Sequence, residues 1–326
     1  MNWSVAHIPD QAGRIALVTG ASGGVGRETA RVLAARGAHV VLACRNAERG
    51  RAVASWIGGS TEVLELDLAS LDSVRRAAGR VRDRHGRLDL LVNNAAVMLP
   101  PHRHTHDGFE VHLGVNHLGH FALTGLLLDL MTGVAGSRVV TVSSLAHRVG
   151  LGSFSTDRAR SASGAAAAPV TAYGRSKLAN LLFARQLQHR LAAAGAATVS
   201  IAAHPGLSPT GLWHGDFPAA LRPVVTAGLR WLAQPADAAA LPSLRAATDP
   251  QVPGGAYLGP ARRFESRGAP VPASSSRVSR DRAAQVRLWD LSEELTGVRY
   301  AFPAAPATAG PAAQVCPVTG RTGRTP

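Results

Sequence analysis

The chain alternates short, continuously apolar runs with longer segments in which apolar residues recur every three or four positions. IALV (15–18), HVVLA (39–43), VLEL (63–66), LDLLV (88–92), RVVTV (138–142) and TVSIAA (198–203) predict six strands. Helical periodicity fills the stretches near 25–36, 47–57, 70–85, 114–132 and 173–194. A strand apolar on both faces must be covered on both faces, and a helix between successive strands makes the connection parallel. The pattern therefore predicts an α/β fold, a doubly wound parallel sheet whose βαβαβ first half suits a mononucleotide. With no composition break before residue 300, one domain is expected over 1–300. Two stretches interrupt the rhythm. Residues 150–170, rich in Gly, Ser and Ala, are expected to be a surface insertion. Residues 301–326, rich in Pro, Ala and Gly and free of acid, are expected to be a disordered tail.

At 326 residues, 46% hydrophobic and 17% charged, the chain can bury a sizeable core and is not a mostly disordered protein. Its net charge of +14 points first to an anionic partner. Yet of 35 basic residues only Lys177 is a lysine, so the charge reflects an arginine habit. The most basic segments, 75–87 and 277–287, fit solvated helix faces and interleave no aromatics for base stacking. Nucleic acid is accordingly not expected as a partner. No apolar run has the length of a signal or of a membrane span, Asp129 interrupting the longest candidate, and a cytoplasmic protein is expected. Cys44 and Cys316 have neither disulfide nor metal-ligand spacing, and no metal site is expected.

Chemistry begins at TGASGGVG (19–26), between the first predicted strand and the first predicted helix. A diphosphate needs a tight turn, close backbone approach and free N–H groups at a helix N-terminus, and a Cβ at the glycines would hold it away. Thr19, Gly20, Ser22, Gly24, Val25 and Gly26 form this candidate dinucleotide loop. An acid about 20 residues further on would bind a ribose 2′-hydroxyl. This chain has ACRN (43–46) there, with Arg45 in the acid's place. A guanidinium suits a 2′-phosphate, so NADP(H) is expected in preference to NAD(H).

Tyr173 and Lys177 stand four apart on a predicted helix, on one face with Cβ atoms roughly 5–6 Å apart. A fixed cation beside a phenol stabilises the phenolate and is expected to lower its pKa from about 10. Tyr173 could then exchange a proton with an alcohol or carbonyl oxygen. Where any surface cation would serve, this chain's habit predicts Arg. The lone Lys implies a need for a compact ammonium.

The Gly-x3-Gly-x-Gly spacing of TGASGGVG resembles the short-chain dehydrogenase/reductase family, and the likeness extends over roughly 13–300. ACRN, VNHLGHF (115–121) and SSLAH (143–147) resemble its retinol-dehydrogenase-like and related plant protochlorophyllide-reductase-like members. The resemblance implies a Rossmann-type sheet and a catalytic set of Asn116, Ser144, Tyr173 and Lys177, with Ser143 as the alternative serine. It implies Asp67 and Leu68 beside the adenine, and Asn94 and Ala95 lining the cofactor pocket while Asn93 braces the sheet. Pro205, Gly206 and Thr210, from a PGxxxT loop, would lie near the nicotinamide. Ala96 departs from the family's Gly in NNAG, and the make-up of 150–170 departs from the retinol-dehydrogenase-like group, so substrate preference does not transfer. His112, His117, His120 and His204 lack metal-ligand spacing and are read as packing or surface residues.

Residues 207–235 carry Leu212, Trp213, Phe217, Leu221 and Trp231, and the family implies a lid here. An apolar lid favours a lipophilic alcohol, aldehyde or ketone. The expectation is an NADP(H)-dependent oxidoreductase for such a substrate. The alternative is a catalytically silent member that senses dinucleotide or serves as a scaffold. Homo-oligomerisation is left open, since 114–132 and 173–194 often form interfaces in the family.

Overall fold

The structure, a computed structural model, describes residues 3–98, 100, 103–150, 154–161, 169–206 and 234–303. All six predicted strands form: β1 (Ile15–Thr19), β2 (His39–Cys44), β3 (Thr61–Glu65), β4 (Leu90–Asn93), β5 (Arg138–Val142) and β6 (Val199–Ala203). Two more follow, β7 (Tyr257–Arg262) and β8 (Arg267–Pro272). The order across the sheet is β3-β2-β1-β4-β5-β6-β7-β8. Strands β1 to β7 run parallel and β8 runs antiparallel to β7.

The principal helices are α1 (Gly24–Ala35), α2 (Ala47–Ile57), α3 (Leu71–Arg84), α4 (Gly119–Leu127), α5 (Pro169–Ala193), α6 (Ala236–Thr248) and α7 (Arg282–Thr296). Alternate strand residues feed two cores. Leu17, Leu91 and Val139 pack with residues of α3, α4, α5 and α7, among them Phe121, Leu182 and Trp289. Ala16, Val18, Leu90 and Val140 pack on the other face with Val32 and Leu33 of α1 and Leu244 of α6. Two-sided burial is why these strands read as unbroken apolar runs.

Strands β7 and β8 escape the periodic reading because YLGPAR and RGAPVP carry glycine and proline. Proline is tolerated in β8 at the edge of the sheet, and Pro260 of β7 lies beyond Tyr257 and Leu258, the residues that pair with β6. Helix α6 is alanine-rich with Pro242 inside it.

The interruptions also differ in part from expectation. Within 150–170, Thr156–Arg160 forms a helical turn with Ala159 fully buried, and the Glu110 amide donates to the Ala159 carbonyl at 2.7 Å. This part of the insertion is packed structure. Of the expected tail, Phe302 is packed, 6.0 Å from the Tyr300 ring and 6.2 Å from Trp289. Residues 304–326, the lid candidates at 207–233 and Thr210 lie outside the described residues. The polypeptide is already helical from Ala236, directly after the expected lid.

Candidate active site

The chain reverses its winding between β1, which neighbours β2 on one side, and β4 on the other. Sheets of this type bind ligands at the carboxyl ends of the strands at such a point. A cavity of about 720 Å³ opens there, lined by Thr19, Gly20, Ser22, Ala43, Cys44, Arg45, Leu66, Asp67, Leu68, Ala95 and their neighbours. Gly20 turns the chain with φ +67°, and its amide donates to the Ala43 carbonyl at 2.8 Å. A Cβ on Gly20 would sit 2.9 Å from the Ala95 Cα, and one on Gly26 would sit 2.5 Å from the Gly20 carbonyl oxygen. Side chains would therefore close the cradle. Loop, cavity and helix N-terminus fit the diphosphate of a dinucleotide.

Not every loop candidate faces this space. Val25 is buried in the core beside α1. Asn94 lies behind the loop, where its side-chain amide donates to the Thr19 carbonyl at 2.8 Å and crowds the space beside Gly26. It supports the cradle from beneath. Asn93 braces the sheet, donating to Thr124 Oγ1 at 2.9 Å.

At the end of β2, Arg45 is exposed on the cavity rim with no acid within its segment. Asp67 accepts from the Ala69 amide at 2.9 Å. Cys44, set aside on spacing, lines the cavity and is buried.

Asn116 sits in a π-helical turn, Gly114–Leu118, that leads into α4. Such turns displace one residue from the helical ladder and recur at functional sites. The Asn116 side chain accepts from the Val97 amide (2.8 Å), and donates to the Val97 carbonyl (3.1 Å) and to Ser176 Oγ (2.9 Å). It thus ties the cavity wall to α5, three residues from Tyr173. Its backbone carbonyl contacts His120 Nδ1 at 3.0 Å, and His120 Nε2 contacts Thr19 Oγ1 at 2.8 Å. Burial pushes His120 down to about 4, so it is neutral. The His120 ring therefore bridges Asn116 and the glycine loop, a role the packing assignment missed. The only signal for it was its position four residues after Asn116.

Ser144, Tyr173 and Lys177 converge where β5 meets α5. The Ser144 side chain lies beside the Tyr173 phenol and acts to lower its pKa. Ser144 Oγ also accepts from the Ala146 amide at 3.2 Å. Ser143 is fully turned inward, donating to the Lys177 carbonyl at 2.8 Å, which leaves Ser144 as the serine beside the tyrosine. Lys177 is 1% exposed; its Nζ donates to the Val142 carbonyl (3.1 Å) and lies 5.6 Å from the Tyr173 ring centroid.

The electrostatics differ from the expected lowering of the tyrosine. Burial pushes Tyr173 up to about 12, the neighbouring Ser144 side chain opposing it, and burial pushes Lys177 down to about 7. Desolvation outweighs the cation, because the ammonium stands over the ring face rather than at the phenol oxygen. A buried, protonated phenol is a proton donor at neutral pH. Pro205 and Gly206 follow β6, with Gly206 at φ +71°.

At the opposite end of the sheet His39, Glu62 and His85 approach one another. Glu62 is already paired with Arg84 at 3.2 Å and His85 at 2.7 Å. A dication there would have to displace a guanidinium.

Comparison with known proteins gives the same family as the motifs. The family model described as short chain dehydrogenase matches residues 14–218. The chain is 45% identical over 200 residues to retinol dehydrogenase 12 of Mus musculus, covering 60% of this chain and 61% of that protein. It thus spans about three-fifths of the length of that relative. With polyprenol dehydrogenase of Mus musculus it shares 43% identity over 303 residues, 89% of this chain and 86% of that one. A crystal structure of an uncharacterized protein from Mycobacterium Paratuberculosis is 42% identical with a TM-score of 0.76, covering 93% of this chain and all of that one. With the family model matching more than half of its length and this sheet order beneath it, the chain belongs to the short-chain dehydrogenase family, in its retinol-dehydrogenase-like branch.

Proposed function

We propose that the protein is an NADP(H)-dependent oxidoreductase that interconverts a lipophilic alcohol and its aldehyde or ketone. The observation that carries this reading is the meeting of Ser144, Tyr173 and Lys177 with the Asn116 π-turn beside a glycine-lined cavity. When bound, the cofactor supplies or accepts a hydride at its nicotinamide. Gly20, Ser22 and the N-terminus of α1 would hold its diphosphate, and Asp67 with Leu68 the adenine. Arg45 would pair with a 2′-phosphate, which supports NADP(H) over NAD(H). Pro205 and Gly206 would border the nicotinamide, together with Thr210.

In reduction, the protonated Tyr173 hydroxyl donates its proton to the carbonyl oxygen as negative charge develops there. Ser144 Oγ, beside that phenol, donates to the same oxygen and stabilises the charge. Lys177, ionised below about 7, offsets the charge left on the phenolate from its place over the ring. Asn116 holds Ser176 and the cavity wall in fixed relation to Tyr173. In the oxidative direction Tyr173 must first give up its own proton to solvent, and as phenolate it then takes the proton from the alcohol. The names of the matched retinol and polyprenol dehydrogenases support a lipophilic alcohol or carbonyl as substrate.

The test is a turnover screen of lipophilic aldehydes and ketones, run with NADPH and NADH in parallel on wild type and Tyr173→Phe. Turnover with NADPH is expected, with loss of about 10²-fold or more in the variant at unchanged NADPH affinity. A strong NADH preference overturns the reading of Arg45. Dinucleotide binding without turnover of any substrate points instead to a silent sensor or scaffold.

A further inference from the structure

Between β7 and β8 the chain makes a turn of three consecutive non-glycine residues in the left-handed region, Arg263 (φ 51°), Phe264 (56°) and Glu265 (62°). They are the only such residues among those described. L-residues adopt this conformation at a cost, and a run of three needs something to hold it. The ring at its tip does not: Phe264 is 94% exposed. Glu265 is the anchor. Its carboxylate accepts from Arg148 Nη2 (3.0 Å), from the Ser274 amide (3.2 Å) and from Ser274 Oγ (3.0 Å).

The same carboxylate faces His204, which is fully buried, with Nε2 3.4 Å from Glu265 Oε2. The Gly206 amide donates to His204 Nδ1 at 3.2 Å, so that nitrogen is an acceptor and Nε2 carries the hydrogen. At this distance the pair is an electrostatic contact, and Nε2 makes no hydrogen bond to a described residue. His204 leaves no room for change behind it either, since a Cβ on Gly259 of β7 would strike its ring.

Two of the three residues that Glu265 meets, Arg148 and His204, each sit next to one of the loops assigned to the reaction. Arg148 belongs to the short helix Leu145–Val149 that begins at Ser144. His204 immediately precedes Pro205 and Gly206. A second strut runs parallel to the first. The Ser276 amide donates to His147 Nε2 at 3.1 Å, which leaves His147 Nδ1 to donate to the Ser144 carbonyl at 2.7 Å. Ser276 follows β8, so both struts leave the same hairpin.

We propose that the strained β7–β8 turn, acting through Glu265 on Arg148 and His204, is a positioning device that keeps the Ser144 turn and the His204–Gly206 loop in register with each other. This rests on the reductase reading above for the identity of the two loops. Glu265 touches no reacting group in this scheme; it acts through the residues it holds.

Glu265→Gln keeps the shape of the side chain and removes its charge. Hydrogen–deuterium exchange of the amides at 144–149 and 203–206 is expected to quicken by about tenfold, with β1 to β4 unchanged. The kcat for carbonyl reduction is expected to fall by roughly tenfold or more, while NADPH affinity, read from tryptophan fluorescence, stays within about threefold. Arg148→Gln is expected to give the same loss, and the double variant no more than either single one, because both break one connection. Unchanged exchange at the two loops overturns the proposal, as does faster exchange with kcat unaltered. A uniform rise in exchange across the sheet with a lowered Tm also overturns it, since that marks ordinary loss of stability. If wild type turns over nothing, the reductase reading fails, and faster or unchanged exchange at the two loops still decides whether the turn clamps them.

Discussion

Lys177 is 1% exposed, and burial lowers it to about 7, so its ammonium and its free amine coexist near neutral pH. Arginine cannot lose its proton under such conditions. The one lysine of an arginine-rich chain therefore stands where a titratable cation matters, a sharper reason than compactness alone. Being charged below about 7 and neutral above, Lys177 should make kcat/KM for carbonyl reduction decline as pH rises through that value, a parameter that reports the free enzyme. Lys177→Arg should give a flat profile in this range, lower by about 10²-fold. A wild-type profile flat from pH 6 to 9 would show that the Lys177 charge takes no part in the reaction. The spacing of Tyr173 and Lys177 was legible in the sequence, because four residues on a helix share a face. The rise of Tyr173 to about 12 was not, because desolvation depends on what the rest of the chain stacks over the phenol.

Local elements are set by how closely backbones approach. A Cβ on Gly26 would lie 2.4 Å from Asn94 Nδ2 and 2.5 Å from the Gly20 oxygen, both parts of the cradle itself. Gly79, inside α3, would meet nothing within 4 Å. Gly26→Ala is therefore expected to weaken NADPH binding at least tenfold and to cost about 1–3 kcal/mol of stability. Gly79→Ala should leave binding unchanged and stabilise by about 0.5–1 kcal/mol through helix propensity. Nucleotide titration and thermal unfolding of the pair check both, and equal binding by the two variants would show that the loop relaxes freely. The glycine loop was legible as motif, strand before and helix after. The π-turn around Asn116 was not, since VNHLGHF reads as ordinary helix and the extra residue appears only once His120 reaches back to Thr19. Likewise β7 and β8 owe their pairing to β6 beside them, not to any strand propensity in YLGPAR or RGAPVP.

Across the whole molecule, several histidines are buried in neutral form. Burial lowers His117 to about 3, and His120 and His147 to about 4. Their folded values lie below the unfolded value near 6.5, so the unfolded chain binds more protons once pH drops beneath it. Stability should be intact above that value and lost progressively as pH falls toward 4, by on the order of 2 kcal/mol per histidine at pH 5. Thermal unfolding from pH 7.5 to 5 checks this; a Tm that holds or rises over that range contradicts the burial of these rings. Between about 7 and 10.5 the buried Lys177 acts in the same direction, stability rising with pH. Among the described residues no helix is long and apolar enough to cross a membrane. The sequence by itself determined the sheet through β6, the dinucleotide loop and the Tyr–Lys pair. Those features follow from periodicity and short spacings, which the polypeptide carries locally. Only the tertiary structure decided which polar groups meet across distance: His120 on Thr19, Asn116 on Ser176, and Glu265 on Arg148 and His204. Such contacts join residues 60 to 117 positions apart, and they exist because packing two helical layers on one sheet excludes water and leaves each buried polar group to find its partner.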